Sequence, residues 1–321
     1  MNTKYIVIVL GEPYSVFSEI IGRYFSKYKI KRKKIILVGN YNLFQAQLKK
    51  LKYKLILNQI NSLEEAKIDK LNIININFKF KKIFTKITSK SNNYIESCFN
   101  KSLDLIFSNK EKIILINGPI SKKTFLKKKY LGITEYLSKK TNSRNQVMLI
   151  YNEKLSVSPI TTHIPIKHVT KHLSKKKILD KIININNFYK NTLSKNAKFA
   201  VLGLNPHCET VDKYSEEDNI IIPSIKKLKK MGIKVNGPFS ADTFFLKKNT
   251  KNYDVVVGMY HDQVITPIKT MFNFNAINIT LGLPFIRISP DHGPNVKMLG
   301  KDKSNPNSII ESIRFIEKHA I

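Results

Sequence analysis

Three histidines stand where the chain reads as a turn: His163 in Thr161-Thr162-His163-Ile164-Pro165, His207 in Asn205-Pro206-His207, and His261 in Tyr260-His261-Asp262. Imidazole is the commonest metal-binding side chain, and a catalytic zinc takes about three protein donors and keeps one position open. Singly, each histidine reads as an ordinary polar loop residue. Together, each beyond an apolar run, they are candidate ligands of an open divalent-metal site. They share no compact motif such as HExxH, so the case rests on their common setting. Asp262, beside His261, is a further ligand or the outer partner that fixes its tautomer. His168, His172 and His319 lie among lysines and read as surface residues, while His292, in Pro290-Asp291-His292-Gly293, is left open. Cys208 follows His207, but neighbours in an extended loop point apart, which argues against a Cys–His dyad.

A second set concerns anions. Most lysines lie in polar clusters, whereas Lys269 follows Ile265-Thr-Pro-Ile and Arg287 sits within Leu283-Pro-Phe-Ile-Arg287-Ile. A cation inside an apolar, strand-like run needs a partner. A phosphate suits the pair, since arginine offers a fork and lysine a point charge. An internal ion pair with Asp242, Asp262 or Asp291 suits it equally. Asn278-Ile-Thr280-Leu-Gly282 adds neutral donors nearby. Asp242, in Gly237-Pro238-Phe239-Ser240-Ala241-Asp242, is either a helix N-cap or a general base near the metal.

The elements that must position these residues alternate. Tyr5–Leu10, Ile35–Val38, Ile113–Ile116, Val147–Tyr151, Phe199–Leu202 and Val255–Val257 are continuous apolar runs, as expected of buried parallel strands. Between them, Ile95, Cys98, Phe99, Leu103 and Ile106 recur at helical spacing, as do Ile178, Leu179, Ile182 and Ile183 after a cap at Ser174. Lys226–Met231 closes at Gly232. The pattern predicts α/β layers on a largely parallel sheet, where ligands gather beyond the carboxyl ends of strands. The loops Gly11-Glu12-Pro13, Asn117-Gly118-Pro119, Asn205-Pro206-His207 and Met259-Tyr260-His261-Asp262 are therefore expected to face one cleft. No GxGxxG follows the first strand, so the common dinucleotide fingerprint is absent.

Composition excludes several classes. The 321 residues suffice for two domains or one large one. No apolar run approaches the roughly 18 residues that cross a bilayer, and the apolar start reads as a buried strand, not a secretory signal. Only Cys98 and Cys208 are present, which fits a reducing cytoplasm. The net charge of +33 (56 basic, 23 acidic) raises a nucleic-acid reading. Against it, nearly all basic residues are lysine, with arginine only at positions 23, 32, 144, 287 and 314. Abundant Lys, Ile and Asn, all with A- and T-rich codons, point to compositional drift and a solvated lysine surface, without specific nucleic-acid binding.

The ordered set Gly11-Glu12-Pro13, Asn117-Gly118-Pro119-Ile120, Thr162-His163-Ile164-Pro165, Gly203-Leu204-Asn205-Pro206-His207, Gly237-Pro238, Ala241-Asp242-Thr243, Met259-Tyr260-His261-Asp262-Gln263, Asn278-Ile279-Thr280-Leu281-Gly282-Leu283-Pro284 and Asp291-His292-Gly293 resembles the 4-hydroxythreonine-4-phosphate dehydrogenases over most of the chain. The resemblance implies an isocitrate/isopropylmalate dehydrogenase-like fold of two α/β/α domains with the active-site cleft between them. It places the domains at 1–132 plus about 285–321, and at about 133–284, the latter carrying most metal and substrate ligands. It further implies a cytoplasmic homodimer with the site at the subunit interface, one histidine crossing into the partner's site. His163, His207 and His261 would bind one zinc, magnesium or cobalt ion. Thr134, Lys269, Asn278 and Arg287 would bind the substrate, and Asp242, Asp262 and Lys269 are the catalytic candidates. The implied reaction is NAD- or NADP-linked oxidation of 4-phosphohydroxy-L-threonine to 2-amino-3-oxo-4-phosphooxybutanoate, which decarboxylates to 3-amino-2-oxopropyl phosphate in vitamin B6 synthesis. A threonate or erythronate phosphate is the alternative substrate. Three positions depart from the family: Ile133 replaces the histidine before Thr134, Cys208-Glu209-Thr210-Val211-Asp212 replaces a glycine-rich stretch, and the first loop, Gly11-Glu12-Pro13-Tyr14-Ser15-Val16-Phe17, lacks the later glycines.

Overall fold

The structure, a computed structural model, describes residues 4–28, 33–126, 129–273, 275–289 and 293–319. Asp291, His292 and Arg32 lie outside the described residues. The strands in chain order are β1 (Tyr5–Val9), β2 (Lys34–Gly39), β3 (Leu57–Ile60), β4 (Leu71–Asn75), β5 (Ile113–Asn117), β6 (Val147–Tyr151), β7 (Ser156–Thr161), β8 (Lys198–Leu202), β9 (Lys234–Phe239), β10 (Val255–Tyr260), β11 (Ile277–Leu281) and β12 (Arg287–Ser289). The chain forms two compact units, 1–140 with 284–321, and 141–283. No described helix is long and apolar enough to cross a membrane.

The first unit orders its strands β3-β4-β2-β1-β5-β12, all paired parallel. Every residue of β1 and β5 is buried, because a parallel strand covered on both faces has no polar side to show. The chain leaves β1 toward β2 on one side and returns to β5 on the other, so the loops after β1 and β5 flank the point where strand order reverses. They are bound together: Glu12 N donates to the Pro119 carbonyl (2.9 Å) and Gly118 N to that of Val9 (2.7 Å). Gly11 is in the left-handed region (φ 71°), and a Cβ there would lie 2.6 Å from the Pro119 oxygen. The helix Asn92–Ser108 packs the expected Ile95, Cys98, Phe99 and Leu103 into the core, with Ile106 half-buried. Helix Ile133–Lys140, and Thr134 with it, belongs to this unit and not to the second, where the expected boundary had put it. Its Tyr136 stacks edge-on against Phe99 and Phe125, which explains the assignment.

The second unit orders its strands β11-β6-β7-β10-β8-β9. The run β7-β10-β8-β9 is parallel, but β6 is antiparallel to both β11 and β7. Val147–Tyr151 is thus buried as expected except for the half-buried Met148, yet not a parallel strand. Only Asn152–Leu155 separate β6 from β7, a hairpin-sized link that forces antiparallel pairing. Ser174 caps helix Lys175–Thr192 by accepting from Lys177 N (3.3 Å), as its position suggested. Gly237 (φ 137°) lets β9 approach β8, since a Cβ there would sit 2.3 Å from the Val201 oxygen.

Glu12, at the reversal point, is 1% exposed. Ser91 Oγ donates to its Oε2 (3.0 Å) and Tyr14 N to its Oε1 (3.4 Å). Burial outweighs these bonds and pushes its pKa up to about 7 from 4.5. Between those values the folded chain holds a proton that the unfolded chain has lost. Stability therefore falls as pH rises through this window and stays reduced above it. Glu12→Gln is expected to melt higher than the natural chain at pH 8, by up to ~3 kcal/mol, with the gap closing toward pH 5. A gap independent of pH, read from melting curves across that range, would contradict this account.

Candidate active site

His163, His261 and His207 follow the carboxyl ends of β7, β10 and β8, and Asp242 follows that of β9. These four strands are adjacent and parallel, so their ends open on the same side of the second unit's sheet. His163 and His207 adopt left-handed backbone (φ 52° and 55°), as sharp turns off a strand demand. His261 differs from expectation: it is the first residue of helix His261–Phe272. Lys269 is likewise not in a strand but in the last turn of that helix, half-buried. Its apolar neighbours Ile265 and Ile268 are the helix's buried stripe, a pattern that a four-residue run does not separate from a strand. Asp242 is not an N-cap; it lies in the first turn of Ala241–Phe244 and accepts from Ser240 Oγ (2.5 Å).

Buried amides and a carboxylate hold these loops. Gln263 Nε2 donates to the Gly203 carbonyl (2.7 Å), and its Oε1 accepts from Met259 N (2.7 Å). One side chain thus ties the start of the His207 loop to the strand that delivers His261. Thr161 Oγ1 adds a bond to the Met259 carbonyl (2.8 Å), linking the His163 loop to the same point. Glu217, 1% exposed, accepts from Leu204 N (2.7 Å), Asn205 N (2.9 Å) and Asn205 Nδ2 (2.8 Å). Burial alone would raise its pKa; the bonds from Asn205 and Leu204 outweigh it and hold the carboxyl below its ordinary value.

The histidines fit a divalent ion in part. The His163 and His261 ring centres are 5.7 Å apart. With metal–nitrogen bonds of about 2.1 Å, two imidazoles on one tetrahedral ion stand roughly 5–6 Å apart, so this pair is spaced for joint ligation. Asp262 Oδ1 lies 2.6 Å from His261 Nδ1, the outer partnership that leaves Nε2 to ligate. His207 Nδ1 lies 3.8 Å from Asp242 Oδ2. The Ser240 bond, with a lesser contribution from His207, keeps Asp242 below its usual pKa. Among the described residues, no three His, Cys, Asp or Glu side chains form a complete ligand set. Burial, then the charge of Glu217, raises the pKa of Cys208 and so disfavours its thiolate.

The substrate candidates are divided between the units. In the second, Asn278 is on β11, half-buried, with its Oδ1 buried and lacking a hydrogen-bond partner among the described residues. In the first, Arg287 opens β12 and is 1% exposed. Its Nε donates to Asn117 Oδ1 (2.7 Å) and its Nη1 to Thr134 Oγ1 (2.9 Å). Burial lowers its pKa to about 10 against the opposing charge of Glu135, so it is protonated at neutral pH. Asp242 and Asp262, two of the ion-pair partners envisaged for it, are instead occupied with Ser240 and His261.

Residues 31–316 match the family model described as pyridoxal phosphate biosynthetic protein PdxA. The chain belongs to this family. It is 34% identical over 317 residues to the 4-hydroxythreonine-4-phosphate dehydrogenase of Sulfurihydrogenibium sp. (strain YO3AOP1), covering 97% of this chain and 96% of the relative. It is 29% identical over 328 residues to the D-threonate 4-phosphate dehydrogenase of Pectobacterium atrosepticum, covering 98% of each. A crystal structure of 4-hydroxythreonine-4-phosphate dehydrogenase from Klebsiella pneumoniae superposes with a TM-score of 0.85 at 26% identity, covering 99% of this chain and 100% of that one. Isocitrate dehydrogenase from Methylococcus capsulatus (TM-score 0.51, 11% identity, 98% of this chain and 85% of that one) shares the fold. The expected isocitrate/isopropylmalate dehydrogenase-like class is thus the one observed.

Four supporting residues of this PdxA chain escaped sequence reasoning: Asn117, Glu135, Gln263 and Glu217. Gln263 lay inside a quoted motif, and Glu217 lies in Glu216-Glu217-Asp218, an acidic run in a lysine-rich chain that was a signal to follow. Gln263→Leu leaves Met259 N and the Gly203 carbonyl buried without this partner, at a cost of at least ~2 kcal/mol. Gln263→Glu keeps the acceptor and loses the donor, so its loss should be intermediate. Urea denaturation of both variants checks this, and a Leu variant within ~0.5 kcal/mol of the natural chain would refute the stapling role.

Proposed function

We propose that this chain is a 4-hydroxythreonine-4-phosphate dehydrogenase of pyridoxal phosphate synthesis. The reaction is oxidation of 4-phosphohydroxy-L-threonine by NAD or NADP to 2-amino-3-oxo-4-phosphooxybutanoate, which loses carbon dioxide to give 3-amino-2-oxopropyl phosphate. The observation that carries this reading is the full-length match to enzymes of that name, closer than the match to a D-threonate 4-phosphate dehydrogenase. A second reading, a dehydrogenase for a threonate or erythronate phosphate, draws on Ile133, which places an aliphatic side chain beside Thr134 where the family's histidine offers a donor.

His163, His207 and His261 would hold the divalent ion, zinc, magnesium or cobalt. Bound there, the ion supplies Lewis acidity toward the substrate hydroxyl. Asp242, ionised at neutral pH, takes the hydroxyl proton directly or through a water, while Asp262 holds His261 in its ligating orientation. Lys269 and Arg287 hold the phosphate, with Asn278 and Thr134 as neutral contacts, and so turn binding energy into orientation. The site would belong to a cytoplasmic homodimer, with one of these histidines crossing into the partner's site.

Chelation should abolish turnover, and zinc, cobalt or magnesium should restore it. Alanine at His163, His207 or His261 should cost at least ~100-fold in activity, whereas His172→Ala should be silent. Normal turnover by the triple variant would overturn the metal assignment. Arg287→Lys keeps the charge and loses the fork, so KM for the phosphorylated substrate should rise about ten- to a hundredfold. An unchanged KM with a lower melting point would mean that Arg287 serves only the fold.

A further inference from the structure

Two of the groups that hold Arg287 carry no charge. Asn117, the last residue of β5 and 5% exposed, takes Nε at one side of the guanidinium, and Thr134 takes Nη1 at the other. Two bonds on different nitrogens fix both the position and the rotation of the planar group. Asn117 is itself fixed, since its Nδ2 donates to the Gly118 carbonyl (3.0 Å), which commits its oxygen to Arg287. A threonine hydroxyl that accepts from the guanidinium retains its own proton to give to another acceptor.

We infer that Asn117 is a positioning residue of the anion site: a neutral acceptor that orients the Arg287 fork without cancelling its charge. The inference rests on the proposed role of Arg287 as a phosphate ligand. An aspartate has the same size and would hold Nε at least as firmly. It would also place a carboxylate on a buried cation that Glu135 already opposes. Charge retained on the arginine favours an incoming dianion; charge neutralised beneath it does not. A purely structural role for residue 117 has no such selective effect on anions, because aspartate keeps the size and the acceptor for Nε and loses only the bond from Nδ2 to the Gly118 carbonyl.

Asn117→Asp is therefore the decisive variant, with Asn117→Ser as a shorter neutral residue and Arg287→Lys as the control. The Asp variant should raise KM for the phosphorylated substrate about tenfold or more, with kcat within about threefold. Its melting temperature should stay within about 3 °C of that of the natural chain, the lost bond to the Gly118 carbonyl being offset by the charged bond to Nε. Inhibition by inorganic phosphate should weaken in parallel, which reads the anion site without turnover. The Ser variant should show a smaller rise in KM, because it adds no opposing charge. If Arg287→Lys raises KM and weakens phosphate inhibition while Asn117→Asp changes neither, the inference fails and the phosphate role stands. If Arg287→Lys also changes neither, the phosphate role fails and the inference with it.

Discussion

A buried polar group must find its partner within the fold or lose roughly 1–3 kcal/mol, more if it is charged. The candidate residues of each unit are placed by that constraint. In the second unit, strand pairing brings β7, β10, β8 and β9 side by side but leaves the loops beyond them undetermined. Gln263 and Glu217 determine them by pairing backbone groups that would otherwise be buried alone. In the first unit the same demand fixes Arg287 between Asn117 and Thr134. The catalytic candidates themselves are more exposed: Asp242, Asp262 and His207 are exposed, and His163, His261 and Lys269 half-buried. Rigid, buried support beneath accessible functional groups is the arrangement that positions chemistry without burying it.

The surplus of positive charge has a modest part in this account. A net charge of +33 creates a broad field that favours anionic ligands of any kind and selects none. Discrimination needs cations held at a definite place, and Arg287 is so held, whereas most lysines are exposed. The charge and the site are therefore separate properties of the chain.

Much of the fold was legible because continuous apolar runs mark buried strands, and β1, β2, β5, β8 and β10 lie where such runs occur. Direction was not legible: β6 has the same composition as its parallel counterparts and runs the other way because its link to β7 is short. The edge strand β3 was missed because half its residues, Asn58 and Gln59, are polar, and β4 because the buried Asn72 interrupts its apolar run while bonding the Ile35 carbonyl (2.9 Å). The histidine loops stood out as turns beyond apolar runs, a signal that topology converts into a common side of one sheet. Lys269 was placed in the wrong element because short apolar runs are ambiguous between helix and strand. The pairing of Asn117 with Arg287 spans 170 positions, and no local pattern announces it.

Substrate preference bears most directly on the central claim, because relatives named for two different phosphorylated acids match this chain over nearly its whole length. The measurement is the rate of NAD reduction by the purified, metal-loaded chain with 4-phosphohydroxy-L-threonine and, separately, with D-threonate 4-phosphate. Reduction is expected with the first, at a kcat/KM at least ~10-fold above that for the second, equivalent to about 1.4 kcal/mol of transition-state discrimination. No reduction with 4-phosphohydroxy-L-threonine, or a reversed preference, would contradict it.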